Sequence, residues 1–334
     1  MMNYKRIFCT VAFVLFSGIA LLTGVNAETV GATGGGSADR ALVGSSDAAF
    51  ADTAPVSETE TSSALEIPLC RATLTGTNGC DHEVHTYSGF VLCYRESYEQ
   101  SEWVAYTLTR EKLNAVTGRT NDFKSDTKIT TESASPKDYT RSGFDRGHLA
   151  PAADMEWSTT SVHESFLMSN MSPQAPQFNR GLWKTLEEKV RDWADRYGTL
   201  YIVTGPVLEK DAVSYDAIGA NKVSVPEYFY KVILAPVGET AGCLQTQRTL
   251  GATDDASENT ASLGATADAS ANSGGIQYTA VAFILPNRKC EGTILDYAVT
   301  VDEAEQRTGL DFYSALPDET EDLIESTFSA AYWN

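Results

Sequence analysis

Positive charge is what this 334-residue chain has little of: 25 Lys and Arg stand against 45 Asp and Glu, for a net charge of −20. That balance excludes a generic polyanion binder, whose sequence-independent affinity comes from many Lys and Arg contacts to phosphates. Part of the deficit is peripheral, because residues 28–66 hold seven acids and one arginine and residues 239–275 hold five acids and one arginine. The remainder is still acidic, so a polyanion has to be held by a local cluster, and Arg141, Arg146, Arg180, Lys184, Lys189 and Arg191 offer one. Histidine is also scarce, with four in the chain, which leaves few groups that titrate near neutrality.

Long apolar runs are missing except at the N-terminus. There Lys5 and Arg6 precede an apolar stretch from about Ile7 to Val25, and Val25-Asn26-Ala27 supplies small residues. The pattern predicts a secretory signal peptide over 1–27, with a single membrane anchor as the alternative, and hence a secreted or periplasmic protein with no membrane span after cleavage. No cysteine stands just after the cleavage site, so lipidation is not supported. Residues 28–66 are almost without aromatics and rich in Gly, Ser, Thr, Ala and acids, the composition of a disordered acidic linker or propeptide. A low-complexity insertion at about 239–275 carries the near-repeat Leu250–Ser257 and Leu263–Ser270, too few copies for a solenoid. What is left, 67–334 less the insertion, suffices for one core.

Beyond Cys9 the chain has Cys70, Cys80, Cys93, Cys243 and Cys290, an odd set for an oxidising compartment. Cys70 with Cys80 and Cys243 with Cys290 are plausible disulfides, though sequence does not fix connectivity. Cys80, His82, His85 and Cys93 form an alternative zinc set, but the Cys-x-His-x-x-His spacing fits no usual structural site well.

The richest stretch is Arg141-Ser-Gly-Phe-Asp-Arg-Gly-His-Leu-Ala-Pro-Ala-Ala-Asp154, one histidine among arginines, aspartates and glycines. If 144–149 is extended, alternation puts Arg146 and His148 on one face and Asp145 and Gly147 on the other, a cation beside a potential base. The bland alternative is an Asp145–Arg146 surface ion pair and an ordinary hydrogen-bonded histidine. Downstream, Trp183, Leu186, Val190, Trp193 and Tyr197 recur at three- and four-residue steps and predict an amphipathic helix. Asn179, placed at the start of that helix, falls near the centre of its inward face, or else caps it. Glu187 and Arg191 stand four apart, a spacing that lets them pair as a solvated salt bridge.

Asp145-Arg146-Gly147-His148, Asn170-x-x-Pro173-Gln174 and Asn179-x-Gly181-x-Trp183-x-x-Leu186-Glu187 together resemble the DNA/RNA non-specific endonuclease family, nucleases of the ββα-metal type. Further pieces follow in order: Trp103–Tyr106, Val203–Pro206, Val225-Pro226 into Tyr228–Val232, and Val301-Asp302 through Leu310. The resemblance implies an α+β fold with a central antiparallel sheet flanked by helices. It implies a metal-dependent endonuclease that cuts DNA and RNA without sequence specificity and leaves 5′-phosphate ends. His148 would be the general base, Asn179 the direct ligand of one Mg²⁺ or Mn²⁺ ion, and Glu187 its partner through water. Asn170 and Arg146 would support the site and the phosphate, and Arg191 would contact substrate or transition state; from the local cationic cluster and the nearby Gly118–Lys124 stretch, rather than from the resemblance, Arg141, Arg180 and Arg119 are expected to bind substrate.

Such a set suits phosphodiester hydrolysis, which needs a deprotonated water, neutralised phosphoryl oxygens and a stabilised leaving oxygen. In Gly118–Lys124 the pattern departs from the family: Asn121 stands where an arginine is expected, leaving Arg119 or Lys124 to substitute. Two other readings stay open. One is a catalytically weak surface or periplasmic binding protein that keeps the nuclease fold, and the other an enzyme for a different extracellular phosphodiester. The sequence leaves a homodimer open.

Overall fold

The computed structural model describes residues 65–70, 81–237 and 277–334. The signal peptide, nearly all of the acidic segment and the insertion at 239–275 lie outside the described residues, as do Cys80 and Cys243 and with them both suggested disulfides. No disulfide links the described residues. Leu65 already packs on the core and Thr107 donates to Glu66 at 3.0 Å, so the folded unit includes the last two residues of the 28–66 segment.

Seven strands form one antiparallel sheet. In chain order the strands are β1 (His82–Thr86), β2 (Val91–Arg95), β3 (Gln100–Thr109), then, off the sheet, β4 (Asp145–His148) and β5 (Met171–Gln174), then β6 (Thr199–Pro206), β7 (Tyr228–Val237), β8 (Gln277–Pro286) and β9 (Ala298–Val299). The helices are α1 (Thr159–Ser165), α2 (Pro176–Asn179), α3 (Leu182–Tyr197), α4 (Val301–Thr308), α5 (Asp318–Ser326) and α6 (Ala330–Trp333). The sheet order is β9-β8-β7-β6-β3-β2-β1, so the long central strands β3, β6 and β7 lie side by side. The architecture is α+β, as the sequence leads one to expect.

Helices cover both faces of the sheet, and this explains why its strands read as near-continuous apolar runs rather than alternating ones. On one face Tyr94, Val104, Tyr106, Ile202, Phe229 and Phe283 meet Trp183, Leu186, Val190 and Trp193 of α3. On the other, Cys93, Trp103, Val203, Tyr230, Val232 and Ala282 meet Val301 and Ala304 of α4 and Ile324 of α5. The apolar stripe of α3 is the one the spacing predicts, and Trp183, Leu186, Val190 and Trp193 are all fully buried. At about 1.5–3 kcal/mol per large buried apolar side chain, this stripe is a principal anchor of the helix. Against this side of the sheet, β4 and β5 form a separate antiparallel ribbon in the register Asp145↔Gln174 to His148↔Met171.

Candidate active site

The ribbon β4–β5 and the two helices that follow it bring the polar residues together. A cleft of about 530 Å³ is lined by Arg119, Arg146, His148, Asn179, Glu187 and Arg191, with Asp145, Arg180 and Lys184 beside them. What holds β4 in place is amide bonding just past its end. Asn170 accepts from the Ala150 N–H at 2.9 Å and donates to the Ala150 and Ser165 carbonyls at 2.9 and 2.8 Å, all fully buried. Its amide is therefore spent on backbone, and Asn170 does not line the cleft. Gly147 has no alternative at its position, because a Cβ there would stand 2.1 Å from Cδ of the buried Gln174 across the ribbon.

His148 sits on β4 with 8% of its surface exposed, its ring edge-on to Phe166 at 4.8 Å and tilted on Phe123 at 5.8 Å. Burial, with a smaller contribution from the Arg119 guanidinium, pushes its pKa down to about 3. The imidazole is thus neutral over the physiological range, and its Nε2 has no hydrogen-bond partner among the described residues. A neutral ring with an unsatisfied nitrogen can take a proton there once an anionic group in the cleft offsets the burial and the Arg119 charge that lower its basicity. Arg146 lines the same cleft, stacked over Phe123 at 4.8 Å, so the alternation inferred for β4 places this pair correctly. Asp145 was expected on the opposite face. It borders the cleft instead, since it begins the strand and takes a bidentate pair from Arg180 at 2.8 and 2.6 Å.

Asn179 does not belong to the long helix. It closes the one-turn helix α2, and the chain turns at Gly181, where a Cβ would meet the Gln177 carbonyl at 2.4 Å, before α3 starts at Leu182. The continuous helical wheel that put Asn179 and Glu187 on neighbouring faces therefore does not apply, nor does the cap reading. Both residues still reach the cleft. Asn179 donates its amide nitrogen to Asp145 at 2.9 Å, which leaves the amide oxygen for the cleft. Hydrogen bonds from Arg180 and Asn179 hold the Asp145 carboxyl below the usual range despite its partial burial.

Glu187 accepts no hydrogen bond among the described residues, and burial pushes its carboxyl up. Lys231 of β7 opposes that shift. It is fully buried, its Nζ over the Trp183 ring at 5.1 Å and without a hydrogen-bond partner among the described residues, and burial pulls its own pKa down. The expected Glu187–Arg191 salt bridge is replaced: Arg191 pairs with the fully buried Asp154 at 2.9 Å, and Tyr106 donates to the other oxygen of Asp154 at 2.8 Å. An amide oxygen and an otherwise unbonded carboxylate facing one cleft are hard donors, and a divalent cation there would offset the burial cost of Glu187.

Of the residues singled out from sequence, His148, Arg146, Asn179, Glu187, Arg191, Arg180 and Arg119 converge. Asn170 lies behind the cleft wall. Arg141 is exposed in a left-handed turn at φ 59° and does not line the cleft. Arg119, with its guanidinium over Phe166 at 5.5 Å, occupies the cleft that the departure at Asn121 left short of an arginine, whereas Lys124 pairs with Asp122. Sequence reasoning missed Asp154, Tyr106 and Lys231. A lysine inside the apolar run Tyr228–Val237 was the available signal for Lys231.

A profile of the family described as DNA/RNA non-specific endonuclease matches residues 71–267. Human mitochondrial endonuclease G is 35% identical over 161 residues, which cover 46% of this chain and 54% of that protein, so the chain spans about half of its length. The mitochondrial nuclease of Saccharomyces cerevisiae is 31% identical over 257 residues, covering 72% of this chain and 69% of the relative. Mitochondrial endonuclease G of Caenorhabditis elegans is 35% identical over 247 residues, covering 70% and 68%. A crystal structure of the EndoG/EndoGI complex aligns with a TM-score of 0.57 and 28% identity, covering 73% of this chain and 91% of that one. These relatives are named as mitochondrial, which overturns the expectation of a secreted or periplasmic protein drawn from the N-terminal apolar run. Among the described residues no helix is long and apolar enough to cross a membrane.

Proposed function

Because the chain belongs to the DNA/RNA non-specific endonuclease family, we propose that it hydrolyses phosphodiester bonds in DNA and RNA at the cleft between the β4–β5 ribbon and α3. The observation that carries this reading is His148: a buried, neutral imidazole whose Nε2 has no partner and whose cleft is lined by arginines. His148 accepts the proton of the attacking water. Arg119, Arg146 and Arg191 face the phosphate and offset the charge that grows on its non-bridging oxygens, and Asp154 holds Arg191 in that orientation. Family membership also implies one divalent cation, Mg²⁺ or Mn²⁺, which Asn179 would hold through its amide oxygen and Glu187 through an intervening water. When bound it would supply positive charge to the phosphate and acidify a water that can protonate the leaving oxygen. Arg180 and Lys184 at the rim would contact flanking phosphates, contacts that carry no sequence information.

The test is cleavage of plasmid and of single-stranded RNA by the full chain with Mg²⁺, with Mn²⁺ and with EDTA, beside His148→Ala and Asn179→Ala. Cutting of both substrates that needs the metal and is lost in both variants is the expected result. No cutting by a folded wild-type protein, or full activity in His148→Ala, would overturn the reading.

A further inference from the structure

On the face of the sheet away from the cleft, three potential metal ligands converge from three adjacent strands. His82 lies on β1, Cys93 on β2 and Glu102 on β3, and their ligand atoms lie within 4.8 Å of one another. His82 Nδ1 is 3.5 Å from Cys93 Sγ and 3.2 Å from Glu102 Oε2. The register explains the meeting. His82 pairs with Arg95 and Cys93 with Trp103, so His82 sits diagonally across from Cys93 on one face of β1–β2. The β2–β3 ladder then slips between Cys93 and Tyr94, which skips Glu102. A bulge of this kind re-aims a side chain, and here it turns Glu102 toward Cys93 instead of the opposite face. His85, three residues from His82, points the other way and pairs with Glu83 at 3.0 Å, so the zinc set suggested by cysteine and histidine spacing is regrouped around Glu102.

We propose that His82, Cys93 and Glu102 bind a Zn²⁺ ion that clips the edge strand β1 to β2 and β3. Zinc bonds of about 2.0–2.3 Å at tetrahedral angles put donor pairs about 3.4–3.6 Å apart, within about 0.2 Å of the two separations seen here. Glu102 is 8% exposed, and apart from the approach of His82 Nδ1 at 3.2 Å its Oε2 has no hydrogen-bond partner among the described residues. The other oxygen is anchored by Arg95 at 3.1 Å, the support a ligating carboxylate ordinarily has. Arg95 also pairs with Asp81 at 3.1 Å, so its charge is offset and does not repel a cation nearby. Thiolate and imidazole together select zinc over Mg²⁺ or Ca²⁺, which prefer all-oxygen sites. A water completes the fourth position in this three-ligand arrangement.

Cobalt in place of zinc provides the test, because the nuclease cleft is lined by no cysteine and cannot give a thiolate signal. The full chain is titrated with Co²⁺ under reducing conditions and followed by absorption spectroscopy. A thiolate-to-cobalt charge-transfer band with intense tetrahedral d–d bands should saturate at one equivalent and be bleached by Zn²⁺. Cys93→Ser should remove the charge-transfer band, and Glu102→Gln and His82→Ala should each weaken binding by at least about 10-fold. Absence of the band in folded wild-type protein overturns the proposal. So does a band that survives Cys93→Ser, or an affinity unchanged in His82→Ala.

Discussion

Gly147 offers the sharpest test of how the ribbon positions His148, the proposed base. In Gly147→Ala the new Cβ would lie 2.1 Å from Cδ, 2.2 Å from Oε1 and 2.4 Å from Cγ of Gln174, which is fully buried. Ordinary contact begins near 3.4 Å, so either Gln174 or the β4 backbone must move by more than about 1 Å, the kind of overpacking that costs about 1–3 kcal/mol. For a domain of this size that is a fall of about 2–10 °C in Tm. Because His148 is the next residue on the same strand, a backbone shift of that size should also lower kcat by about 100-fold. Both Gln174 amide atoms lack hydrogen-bond partners among the described residues, so trimming that side chain breaks no bond seen there. The double variant Gly147→Ala/Gln174→Ala should therefore recover most of the loss in stability and turnover, a strong favourable coupling in a double-mutant cycle. Thermal unfolding and plasmid cleavage on the four proteins decide it. A single variant as active as wild type, or a double variant worse than the sum of its parts, would refute the argument that this contact sets the position of His148.

Three further outcomes are expected. The His148 pKa is lowered in the fold, so below the unfolded value near 6.5 the unfolded chain binds a proton that the native state refuses, and stability is lost as pH falls from there toward about 3. At pH 5 this is about 2 kcal/mol relative to pH 7, read as the difference in urea stability between wild type and His148→Leu, and equal pH dependence of the two would contradict it. Asp154→Asn leaves Arg191 without its buried partner and should cost about 3 kcal/mol in unfolding free energy while cutting kcat, whereas a variant with wild-type stability would show the pair to be idle. Lys231→Met removes the leading influence that lowers the Glu187 pKa, so the Glu187 carboxyl rises further and the acid limb of the cleavage profile moves to higher pH, with weaker Mn²⁺ binding by calorimetry; an unmoved limb would separate Lys231 from the site.

The parts of the molecule legible in sequence were those whose signal is local. The α3 stripe from Trp183 to Trp193 and the pairing of Arg146 with His148 on one strand face follow from periods of 3.6 and 2, and both hold. Ordered motifs carried the fold and the identity of the cleft residues. What failed was inference across a break: the wheel through Asn179 assumed one helix, and the turn at Gly181 splits it. Partners chosen by three-dimensional packing were out of reach as well. Arg191 has a carboxylate one turn away in Glu187, yet it pairs with Asp154 from another element, a residue fixed in turn by Tyr106 of the central sheet. The same holds for Glu102, whose side chain is placed by a bulge that no spacing rule announces.

The acidity of the chain and a polyanionic substrate are compatible once charge is counted where it acts. The cleft is lined by five cations, Arg119, Arg146, Arg180, Lys184 and Arg191, against two carboxylates, Asp145 and Glu187. Burial favours the neutral form of Glu187, and the Asp145 charge is largely absorbed by Arg180. A phosphate entering the cleft therefore meets the field of Arg119 and Arg146 at close range, with Arg191 beside them held in its ion pair to Asp154. Acids elsewhere on the surface act through about 8 Å of screening at physiological ionic strength and contribute little at that distance. Binding that rests on a few cation–phosphate contacts in a small cleft is salt-sensitive, so cleavage at substrate concentrations below KM should fall with added salt more steeply than kcat does.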